Sequence, residues 1–422
     1  MYGQNILPTY ELDIAPADLA AIDDEFHHKD ERIAAGLDPH PYHAATFRYV
    51  VNAQPVEVPN VMVRLKGNSS WAQTIAFDPN PKAQFVISFN EEPYADRRFL
   101  GVRKLELDMP RTDMTFIRQR LALKALRTAG IPAQCANNAK LVINGQYYGL
   151  YTNLEKLDKE FLQRVFGHAD DNGDLGEGGR IPKTNEAAPA WDRLDAFWMI
   201  QNIGQLDGVA DLEGSMKEWA AEMMIGDSDG YGNGGANFYI YDHPTRGYMW
   251  LPVDLDTTFD PDFIAADSSP VFYPYPFRWE LDWYHYLVVM NDDAGMDRFA
   301  TALTSIRARY DAAALQGDLD TFSAQIKAAG EADPHRPFTL AAHATSLAAS
   351  REYMTARANA VDAWLACRAH GGADRDGDGY DLCHDCNDGA ADVHPDATET
   401  CNMRDDDCNG ALDDLAGGAV CE

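Results

Sequence analysis

Long apolar runs and basic residues are both scarce in this sequence. No stretch of about 18 consecutive apolar residues occurs, so no membrane-spanning helix is expected. Lys and Arg number 35 against 67 Asp and Glu, which gives a formal net charge of −32. Nucleic-acid-binding proteins present a basic stripe, and anionic membrane surfaces attract basic segments. The charge balance therefore argues against both kinds of partner.

Several catalytic signatures are also missing. The sequence has no Gly-x-Ser-x-Gly nucleophile elbow, no His-Glu-x-x-His zinc motif and no Walker A loop. Its 12 His are scattered along the chain. These absences argue against the corresponding hydrolases and P-loop enzymes. A glycosidase that uses two of the many carboxylates stays open as an alternative.

Cysteine is rare except at the C-terminal end. Cys135 stands alone, and the other six crowd the last 56 residues, at positions 367, 383, 386, 401, 408 and 421. Six cysteines in a short acidic module predict a disulfide framework of three bridges, and hence export to an oxidising compartment. The alternative is a zinc site, since Cys383-His-Asp-Cys386 has the CxxC form. Cys135 is expected to be a buried free thiol.

Length and composition indicate a chain with a large core. The 422 residues suit one large domain or two, and 45% apolar residues with 11% aromatics are ample for a core. The N-terminal segment Met1–Pro8 has no basic region and no apolar run, so it is not a signal peptide. For an exported protein with such a start, we expect a leader that has been trimmed. We therefore expect a secreted or surface-exposed protein.

Strand patterns dominate the first part of the chain, and helical patterns the last. Alternating residues predict strands at 10–14, 46–51, 61–65, 82–89, 105–109, 140–143 and 147–151, the last two joined by an Asn-Gly turn. A helix is predicted from Asp113 to Gly130, and further helices lie at about 294–313, 318–329 and 338–367. The fold class predicted is therefore α+β.

Four oxygen-bearing side chains flank a second hairpin. Asp229 and Asn237 precede an aromatic strand that ends at Tyr241, and Asp254 and Asp256 follow the next apolar strand. A hairpin brings these side chains to one end of a sheet. Oxygen ligands of this kind suit Mg²⁺ or Mn²⁺, which usually meet substrate phosphates through one or two carboxylates. The order of acid, amide and metal-binding acid is the one used by protein kinases. The alternative for Asp229 is the cap of a turn.

The C-terminal tail carries a second metal-binding pattern. From Gly371 to Glu422 there are 13 Asp and 2 Glu against 2 Arg. Alternate acids followed by Gly are typical of calcium loops, where Gly permits the sharp turn. The alternative is an acidic, solvated tail without order. The predicted Ca²⁺ ligands are Asp374, Asp376, Asp378 and Asp385 in a first loop, and Asp405, Asp407 and Asn409 in a second.

The hairpin motifs resemble those of the CotH family, the spore-coat-type kinases with an atypical kinase fold. The resemblance is carried by Asp227-Ser-Asp229-Gly-Tyr231, Asn237-Phe-Tyr-Ile-Tyr241 and Val253-Asp254-Leu-Asp256-Thr-Thr-Phe259-Asp260. Asp227 stands where that family commonly has Asn, and Asp260 replaces a Gly. Upstream, Arg64-Leu-Lys-Gly67-Asn68-Ser69-Ser70-Trp71, the strand from Lys82 and the segment from Tyr147 to Lys159 are also similar.

The resemblance implies a two-lobed, kinase-like domain over residues 1–370, with an N-lobe at about 10–155 and a C-lobe at about 156–370. A small module at 371–422 follows it, which resembles MopE-type metal-binding motifs and more loosely thrombospondin type 3 repeats. In both of these, acidic loops wrap Ca²⁺ and disulfides pin them. The implied cofactors are ATP, Mg²⁺ or Mn²⁺, and Ca²⁺.

The resemblance also implies roles for residues before the hairpin. Lys82 would reach the α- and β-phosphates of ATP, and Gly67, Asn68, Ser69 and Ser70 would offer small side chains and backbone N–H groups to phosphate oxygens. The alternatives are an edge-strand charge for Lys82 and an ordinary hairpin turn for the small residues.

Two further positions are implied to lie near the nucleotide. Glu155 would lie where a kinase hinge meets adenine, and Arg118 would pair with a carboxylate or a phosphate. The alternatives are a surface ion pair for Glu155 and a solvated helix position for Arg118.

The function implied is transfer of the ATP γ-phosphoryl group to a protein Ser/Thr hydroxyl. In this interpretation Asp229 orients or deprotonates the acceptor, and Asn237, Asp254 and Asp256 hold one or two divalent ions. Two alternatives stay open. One is a catalytically inactive, pseudokinase-like binding protein displayed at a surface, and the other is AMP transfer from the same nucleotide site.

Overall fold

A computed structural model describes residues 1–67, 69–185, 191–271 and 284–409, together with Asp413 and Leu415. It is a mixed structure of helices and strands, as the α+β prediction requires. The described chain divides into two compact units. The first comprises residues 1–124, 134–164 and 317–347, and the second comprises residues 125–133, 165–316 and 348–422.

The first unit contains a closed barrel. Its strands follow the order β1-β2-β3-β4-β5-β7-β6, and every neighbouring pair is antiparallel except β1 and β6, which run parallel. Alternation explains the strands, since Tyr10, Leu12 and Ile14 are buried while the residues between them are more exposed. The strands are β1 Thr9–Ile14, β2 His43–Val51, β3 Gln54–Lys66, β4 Gln84–Ser88, β5 Lys104–Asp108, β6 Ala136–Ile143 and β7 Gln146–Glu155.

Helices flank these strands along the chain. Four of the helices below (α4, α5, α12 and α13) contribute residues to both units. The barrel itself encloses an aromatic and aliphatic core that includes Phe47, Phe85 and Leu141. The helices are α1 Pro16–His27, α2 Lys29–Ala34, α3 Ser69–Phe77, α4 Arg118–Ala129, α5 Lys159–Phe166, α12 Ala312–Glu331 and α13 Leu340–His370.

The second unit has a four-stranded sheet in the order β11-β10-β8-β9. The paired strands are antiparallel. The strands are β8 Leu175–Glu177, β9 Ile181–Pro182, β10 Phe238–His243 and β11 Gly247–Pro252. The helices are α6 Trp191–Trp198, α7 Ile203–Asp207, α8 Leu212–Ile225, α9 Tyr231–Gly234, α10 Tyr284–Met290 and α11 Asp293–Arg307.

Helix α8 is the buried helix that leads to the predicted hairpin. Asp211 caps its start by accepting a hydrogen bond from the Gly214 N–H, and Gly226 ends it with φ of 66°. Trp219 and Met216 are buried with most of the helix. Because α8 is buried nearly all round, any polar side chain on it requires a specific partner.

Local turn chemistry agrees with the sequence in one hairpin and differs at two helix starts. Asn144 and Gly145 both have positive φ, as a two-residue type I′ turn needs. The helix predicted from Asp113 begins at Arg118, because the Asp113 carboxylate accepts hydrogen bonds from the N–H groups of Thr115 and Arg118. The predicted small-residue turn at 67–70 leads instead into α3, which begins at Ser69.

Disulfides hold the described part of the tail, where neither helix nor strand occurs between residues 371 and 409. The bridges Cys367–Cys383 and Cys386–Cys408 confirm the predicted disulfide framework and remove the zinc alternative for the CxxC pair. Cys401 is also disulfide-bonded, and Cys421 lies outside the described residues. Cys135 is a free thiol, partly exposed where a buried one was expected.

Among the described residues, no helix is both long enough and apolar enough to span a membrane.

Candidate active site and metal centres

The open end of the β10–β11 hairpin brings two of the predicted metal ligands side by side. Phe238 pairs with Pro252, and the N–H of the next residue, Val253, donates to the Asn237 carbonyl at 3.2 Å. Asn237 and Asp254 therefore flank the same strand end. Both have left-handed backbone conformations, with φ of 46° and 58°. Asn and Asp tolerate this conformation best, and such residues cluster at functional sites.

Asp229 lies at the same place and is held by neutral groups. The Thr257 hydroxyl donates to its carboxylate at 2.7 Å and contacts the Asp227 carboxylate at 3.1 Å. Asn237 also hydrogen-bonds Asp229. Burial raises the pKa of Asp229, although the bonds from Thr257 and Asn237 oppose the shift. The structure thus brings Asp229 and Asn237 into contact, with Asp254 exposed and Asp256 half-buried beyond them.

Three buried carboxylates behind Asp229 were not predicted from the sequence. Glu218 and Glu222 lie one turn apart on α8, and Asp227 follows the helix; all three are essentially inaccessible. Glu222 accepts the Gly232 N–H at 2.9 Å, which holds the loop just after Asp229. The signal in the sequence is two Glu four residues apart at 218–225, a stretch of α8 whose other residues are all apolar.

Desolvation dominates the electrostatics of these acids. Burial raises the pKa of Glu218 to about 8 and that of Glu222 well above its ordinary value, and the negative charge of Glu218 adds to the shift of Glu222. Burial, together with the negative charges of Asp229 and Glu222, also raises the pKa of Asp227 well above its ordinary value. Carboxylates this close in low dielectric hold protons or a cation.

The donor set at the hairpin end fits a hard divalent cation. It consists of carboxylate and amide oxygens, and one oxygen of Asp227 is buried without a hydrogen-bond donor in the described part of the chain. The groups that shift the pKa values of Asp227 and Asp229 most are carboxylates and neutral donors, not Lys or Arg. Asn237, Asp254 and Asp256 are the residues that would hold Mg²⁺ or Mn²⁺ here.

Lys82, the predicted phosphate ligand, is buried in an ion pair of the first unit. Its ammonium is 1% exposed and bonds the Asp333 carboxylate and the Leu150 carbonyl, both at 2.6 Å. Asp333 also accepts the Leu150 N–H at 2.8 Å. Burial lowers the pKa of Lys82, and Asp333 opposes the shift. The Lys82 ammonium is therefore engaged in a buried ion pair, and its phosphate contact stays a prediction.

The small-residue segment lies at the entrance to α3. Gly67 has φ of 98°, and a Cβ at this position would lie 2.8 Å from the Gln84 amide nitrogen. The same Gln84 nitrogen donates to the Ser70 hydroxyl at 2.7 Å. Ser69 is the first residue of the helix, and Asn68 lies outside the described residues. Phosphate contacts from this segment stay a prediction.

Glu155 and Arg118 are both buried and engaged within the first unit. Arg164 forms a two-pronged ion pair with Glu155, with bonds of 2.7 and 2.6 Å, and the Cys135 N–H donates to the same carboxylate at 2.8 Å. Arg118 is 1% exposed and donates to the Ser346 hydroxyl. Neither is the solvated side chain of the alternative interpretation, and their nucleotide roles stay predictions.

The first acidic loop of the tail gathers its carboxylates. Ligand oxygens of Asp374, Asp376 and Asp378 lie within 4.8 Å of one another. Asp385 is buried near them, and burial with the charges of Asp378, Asp376 and Asp388 raises its pKa to about 6. Among the described residues, no hydrogen-bond donor contacts the buried Oδ2 atom of Asp376, Asp378 or Asp385. The ligand oxygens of Asp374, Asp376 and Asp378 are therefore close enough to share one cation, and the Ca²⁺ role of this loop stays a prediction.

The second acidic loop includes one ligand that the sequence did not suggest. Glu399 lies with Asp405 and Asp407 in a group whose ligand oxygens are within 4.8 Å of one another. One Glu399 oxygen accepts the N–H groups of Asp406 and Asp407, and the other is buried without a donor in the described residues. Asn409 bonds Asp407 through its amide nitrogen at 2.9 Å. Glu399 was not predicted as a ligand because it lies six residues before the run of Asp that begins at Asp405.

Comparison with known proteins gives two family matches. Residues 63–198 match the family model described as CotH kinase protein. Residues 385–414 match the MopE model described as a putative metal-binding motif. The hairpin residues Asp229 to Asp256 lie between these two segments.

One curated relative and one solved structure are also similar. Invasin CotH3 of Rhizopus delemar is 24% identical over 216 residues, which are 43% of this chain and 35% of that protein. The chain thus matches about a third of the length of this relative. The structure of the Helicobacter pylori proinflammatory kinase CtkA aligns with a TM-score of 0.33 and 12% identity, over 66% of this chain and 94% of that one. Both resemblances predicted from the sequence are confirmed as matches: residues 63–198 match the CotH kinase protein model, and residues 385–414 match the MopE metal-binding model.

Proposed function

We propose that this protein is an atypical protein kinase that transfers the γ-phosphoryl group of ATP to a Ser or Thr hydroxyl of a protein. The observation that carries the proposal is the oxygen-rich cluster at the β10–β11 hairpin end, where Asn237 bonds Asp229 beside Asp254. The CotH match over residues 63–198 supports the same class of chemistry.

Asp229 is the proposed acceptor of the hydroxyl proton. The Ser or Thr oxygen attacks the γ-phosphorus, the bond to the β-phosphate oxygen breaks, and ADP leaves with that electron pair. The raised pKa of Asp229, which results from burial, makes its carboxylate a better base than an exposed Asp. Thr257 and Asn237 fix its orientation through the hydrogen bonds described above.

Asn237, Asp254 and Asp256 are the proposed ligands of Mg²⁺ or Mn²⁺. A bound divalent ion would neutralise charge on the phosphate oxygens. The left-handed conformations of Asn237 and Asp254 place both residues at the hairpin end independently of any ion.

The first unit is proposed to supply nucleotide contacts. Gly67, Asn68, Ser69 and Ser70 remain the candidates for phosphate contacts, since the segment opens helix α3 and helix starts favour anions. Glu155, near adenine, and Arg118, with a carboxylate or phosphate, remain the proposed nucleotide-site residues, and both are buried in the unit.

The tail is proposed to bind Ca²⁺ through its two acidic loops. Support comes from the two carboxylate groups and from the match to a metal-binding motif at residues 385–414. The first group is Asp374, Asp376 and Asp378 with Asp385 nearby, and the second is Glu399, Asp405 and Asp407 with Asn409. All of these donors are oxygens, and the neighbouring sulfurs of Cys386 and Cys408 are in a disulfide, so a hard cation fits better than a soft one.

A secreted or surface location is part of the proposal. It is supported by the disulfides of the tail and by the similarity to a protein named as an invasin. The acceptor is proposed to be a protein.

Asp260 favours a second candidate, a catalytically inactive surface-binding protein. It occupies the position where the CotH pattern has Gly. Asp260 is buried, and in the sequence it follows the proposed metal ligands Asp254 and Asp256 closely. An added buried acid there increases the negative charge that ATP must approach. AMP transfer is the further alternative. ATP labelled at the α- or the γ-phosphorus distinguishes AMP transfer from kinase activity.

The test is transfer of label from γ-labelled ATP to the protein itself and to a generic acceptor, with Mg²⁺ or Mn²⁺. Asp229→Asn keeps the shape of the side chain but removes the base, so transfer should fall by about 10²-fold or more. Asp262→Asn, an exposed acid nearby in the sequence, is the matched control and should transfer like wild type. Equal transfer by Asp229→Asn and wild type would contradict the role of Asp229.

A further inference from the structure

Helix α9 follows the proposed catalytic acid directly, and its start has no side-chain cap of its own. The N-cap position of Tyr231–Gly234 is occupied by Gly230, which has no side chain that could accept a hydrogen bond. The first N–H groups of a helix have no partner within the helix and need acceptors from elsewhere. Because Asp229 stands immediately before Gly230, the acceptor that fixes the start of α9 also affects the placement of the Asp229 carboxylate.

Glu222 on α8 supplies this acceptor from a neighbouring helix. Its carboxylate accepts the Gly232 N–H at 2.9 Å, and the Tyr231 N–H bonds it as well. All three residues are buried, so bulk water cannot replace the carboxylate where it is removed. A carboxylate that bonds the first two N–H groups of a helix has the function of an N-cap side chain. Glu222 thus ties the start of α9 to α8.

A glycine lets the loop lie directly against the buried acids. A Cβ atom at Gly230 would lie 2.6 Å from Asp227 Oδ2 and 2.8 Å from the carboxyl carbon of Glu222. Only a residue without a side chain permits such a close approach of the backbone. The backbone next to Asp229 is therefore in direct contact with the Glu222 carboxylate.

A second support holds the Asp229 side chain itself. The Thr257 hydroxyl donates to Asp229 at 2.7 Å and contacts Asp227 at 3.1 Å. Asn233, within α9, donates to the Asp227 carbonyl. Asp229 is therefore fixed on one side through Thr257, which follows β11, and on the other through the backbone that Glu222 caps.

Glu218 provides an internal comparison for Glu222. Both acids are essentially inaccessible, and they lie one turn apart on α8. In the part of the chain that the structure describes, no donor bonds either carboxylate oxygen of Glu218. The two acids thus share helix, residue type and burial, whereas the bonds to α9 belong to Glu222.

We infer that Glu222 is a positioning residue for Asp229, which it holds in place by capping α9 from α8. The inference rests on the proposed function, because Glu222 acts on proton transfer only through the geometry of Asp229. A misplacement of about 1 Å can reduce the rate of an oriented reaction by about 10²-fold. Loss of the cap should therefore lower kcat while the contacts with the nucleotide are kept.

The first experiment measures kcat and the KM for ATP of the full chain, with γ-labelled ATP, Mg²⁺ or Mn²⁺ and a generic protein acceptor. Glu222→Met removes both acceptor oxygens, so kcat should fall by about tenfold to a hundredfold with KM unchanged. Glu222→Gln keeps an amide oxygen that can accept the Gly232 N–H, so it should restore kcat to within about threefold of wild type. Glu218→Met, the matched control, should keep the wild-type kcat.

The second experiment is hydrogen exchange at the Tyr231 and Gly232 amides, which needs no catalytic activity. In wild-type protein both amides should be protected, because the Glu222 carboxylate accepts them in the folded state. Glu222→Met should speed their exchange by about tenfold or more, whereas Glu218→Met should not.

The outcomes separate the inference from the proposal on which it rests. Loss of kcat and of amide protection in Glu222→Met alone, with recovery in Glu222→Gln, supports the inference. A wild-type kcat in Glu222→Met overturns it, and so does an equal loss in Glu218→Met or a lack of protection at Tyr231 and Gly232 in the wild type. Wild-type protein that transfers no label overturns the proposed function and the catalytic part of the inference, while exchange still decides whether Glu222 caps α9.

Discussion

At the scale of single residues, the buried Lys82–Asp333 ion pair is expected to contribute to the stability of the fold. Lys82→Met would leave Asp333 buried without its cation, which costs about 3–5 kcal/mol of unfolding free energy. Lys124→Met is the control, because Lys124 pairs with Asp318 at the surface and should cost no more than about 1 kcal/mol. Urea denaturation measures both values, and equal losses would contradict a structural role for Lys82.

Glu218 makes stability depend on pH. Its pKa in the folded protein is about 8, above the ordinary value of 4.5. Between these values the folded state binds more protons than the unfolded state, so stability should fall as pH rises from about 4.5 to about 8. Glu218→Gln should flatten this slope and stabilise the protein most at the upper end of that range.

Denaturation at several pH values measures this slope. Glu213→Gln removes an exposed carboxylate from the first turn of the same helix and serves as the control. A Glu218→Gln profile as steep as that of Glu213→Gln would show that Glu218 is not the titrating group.

The sequence predicted part of the candidate site because hairpin geometry is local. Residues on the two sides of a hairpin meet at its open end, so Asn237 and Asp254 were predicted to be neighbours. Glu218 and Glu222 were missed because two Glu in a helix are usually solvated, and only tertiary burial reveals them. The burial of Lys82 against Asp333 likewise depends on residues far apart in sequence.

At the scale of elements, alternation and turn signals predicted most strands of the barrel. The Asn144-Gly145 turn is one case, since both residues adopt the positive φ that its dipeptide favours. The parallel pairing of β1 with β6, which closes the barrel, could not be predicted. Parallel partners are set by packing of the whole sheet rather than by any local pattern.

Gly226 ends α8 directly before Asp227, and it allows a sharp prediction about this element. A Cβ at Gly226 would overlap the Tyr353 hydroxyl, and φ is 66°. Gly226→Ala should therefore cost the left-handed strain of about 1–2 kcal/mol and a further steric cost of about 1–3 kcal/mol. Gly36→Ala, where φ is 70° and no atom lies within 4 Å, should cost the strain alone.

Thermal or chemical unfolding of both glycine variants provides the measurement. Gly226→Ala should also reduce phosphoryl transfer, because the shift propagates to the loop that carries Asp229. Equal losses of unfolding free energy in the two variants would show that the Tyr353 side chain moves aside with no loss of stability.

At the scale of the whole molecule, the chain does not divide in simple order along its length. Residues 317–347 belong to the first unit, although the sequence-based division assigned them to the C-lobe. Asp333 is in this segment. Its ion pair with Lys82 is one of the contacts that join residues 317–347 to the first unit. A contact between residues about 250 positions apart carries no local signal.

The acidic tail concentrates much of the negative charge of the chain, and we expect this charge to make the order of the tail depend on a cation. Ca²⁺ should stabilise the tail against proteolysis, by about 2.7 kcal/mol when its concentration is a hundred times the dissociation constant. Asp376→Asn and Glu399→Gln should each weaken Ca²⁺ binding, because each removes a carboxylate from one of the two groups.

Calcium titration calorimetry and limited proteolysis with and without a chelator check this prediction. Asp392→Asn is the control, since Asp392 is an exposed acid that pairs with Arg404 in the same module. Calcium affinity that falls equally in all three variants would indicate a general charge effect instead of two built sites.

The most direct test of the central claim uses wild-type protein and ATP whose α- and γ-phosphorus atoms carry different isotopes. We expect only the γ-isotope to appear covalently on protein Ser or Thr, and only when Mg²⁺ or Mn²⁺ is present. Appearance of the α-isotope would contradict kinase activity and establish AMP transfer. Absence of both isotopes would contradict phosphoryl transfer by the Asp229 cluster and favour a binding function.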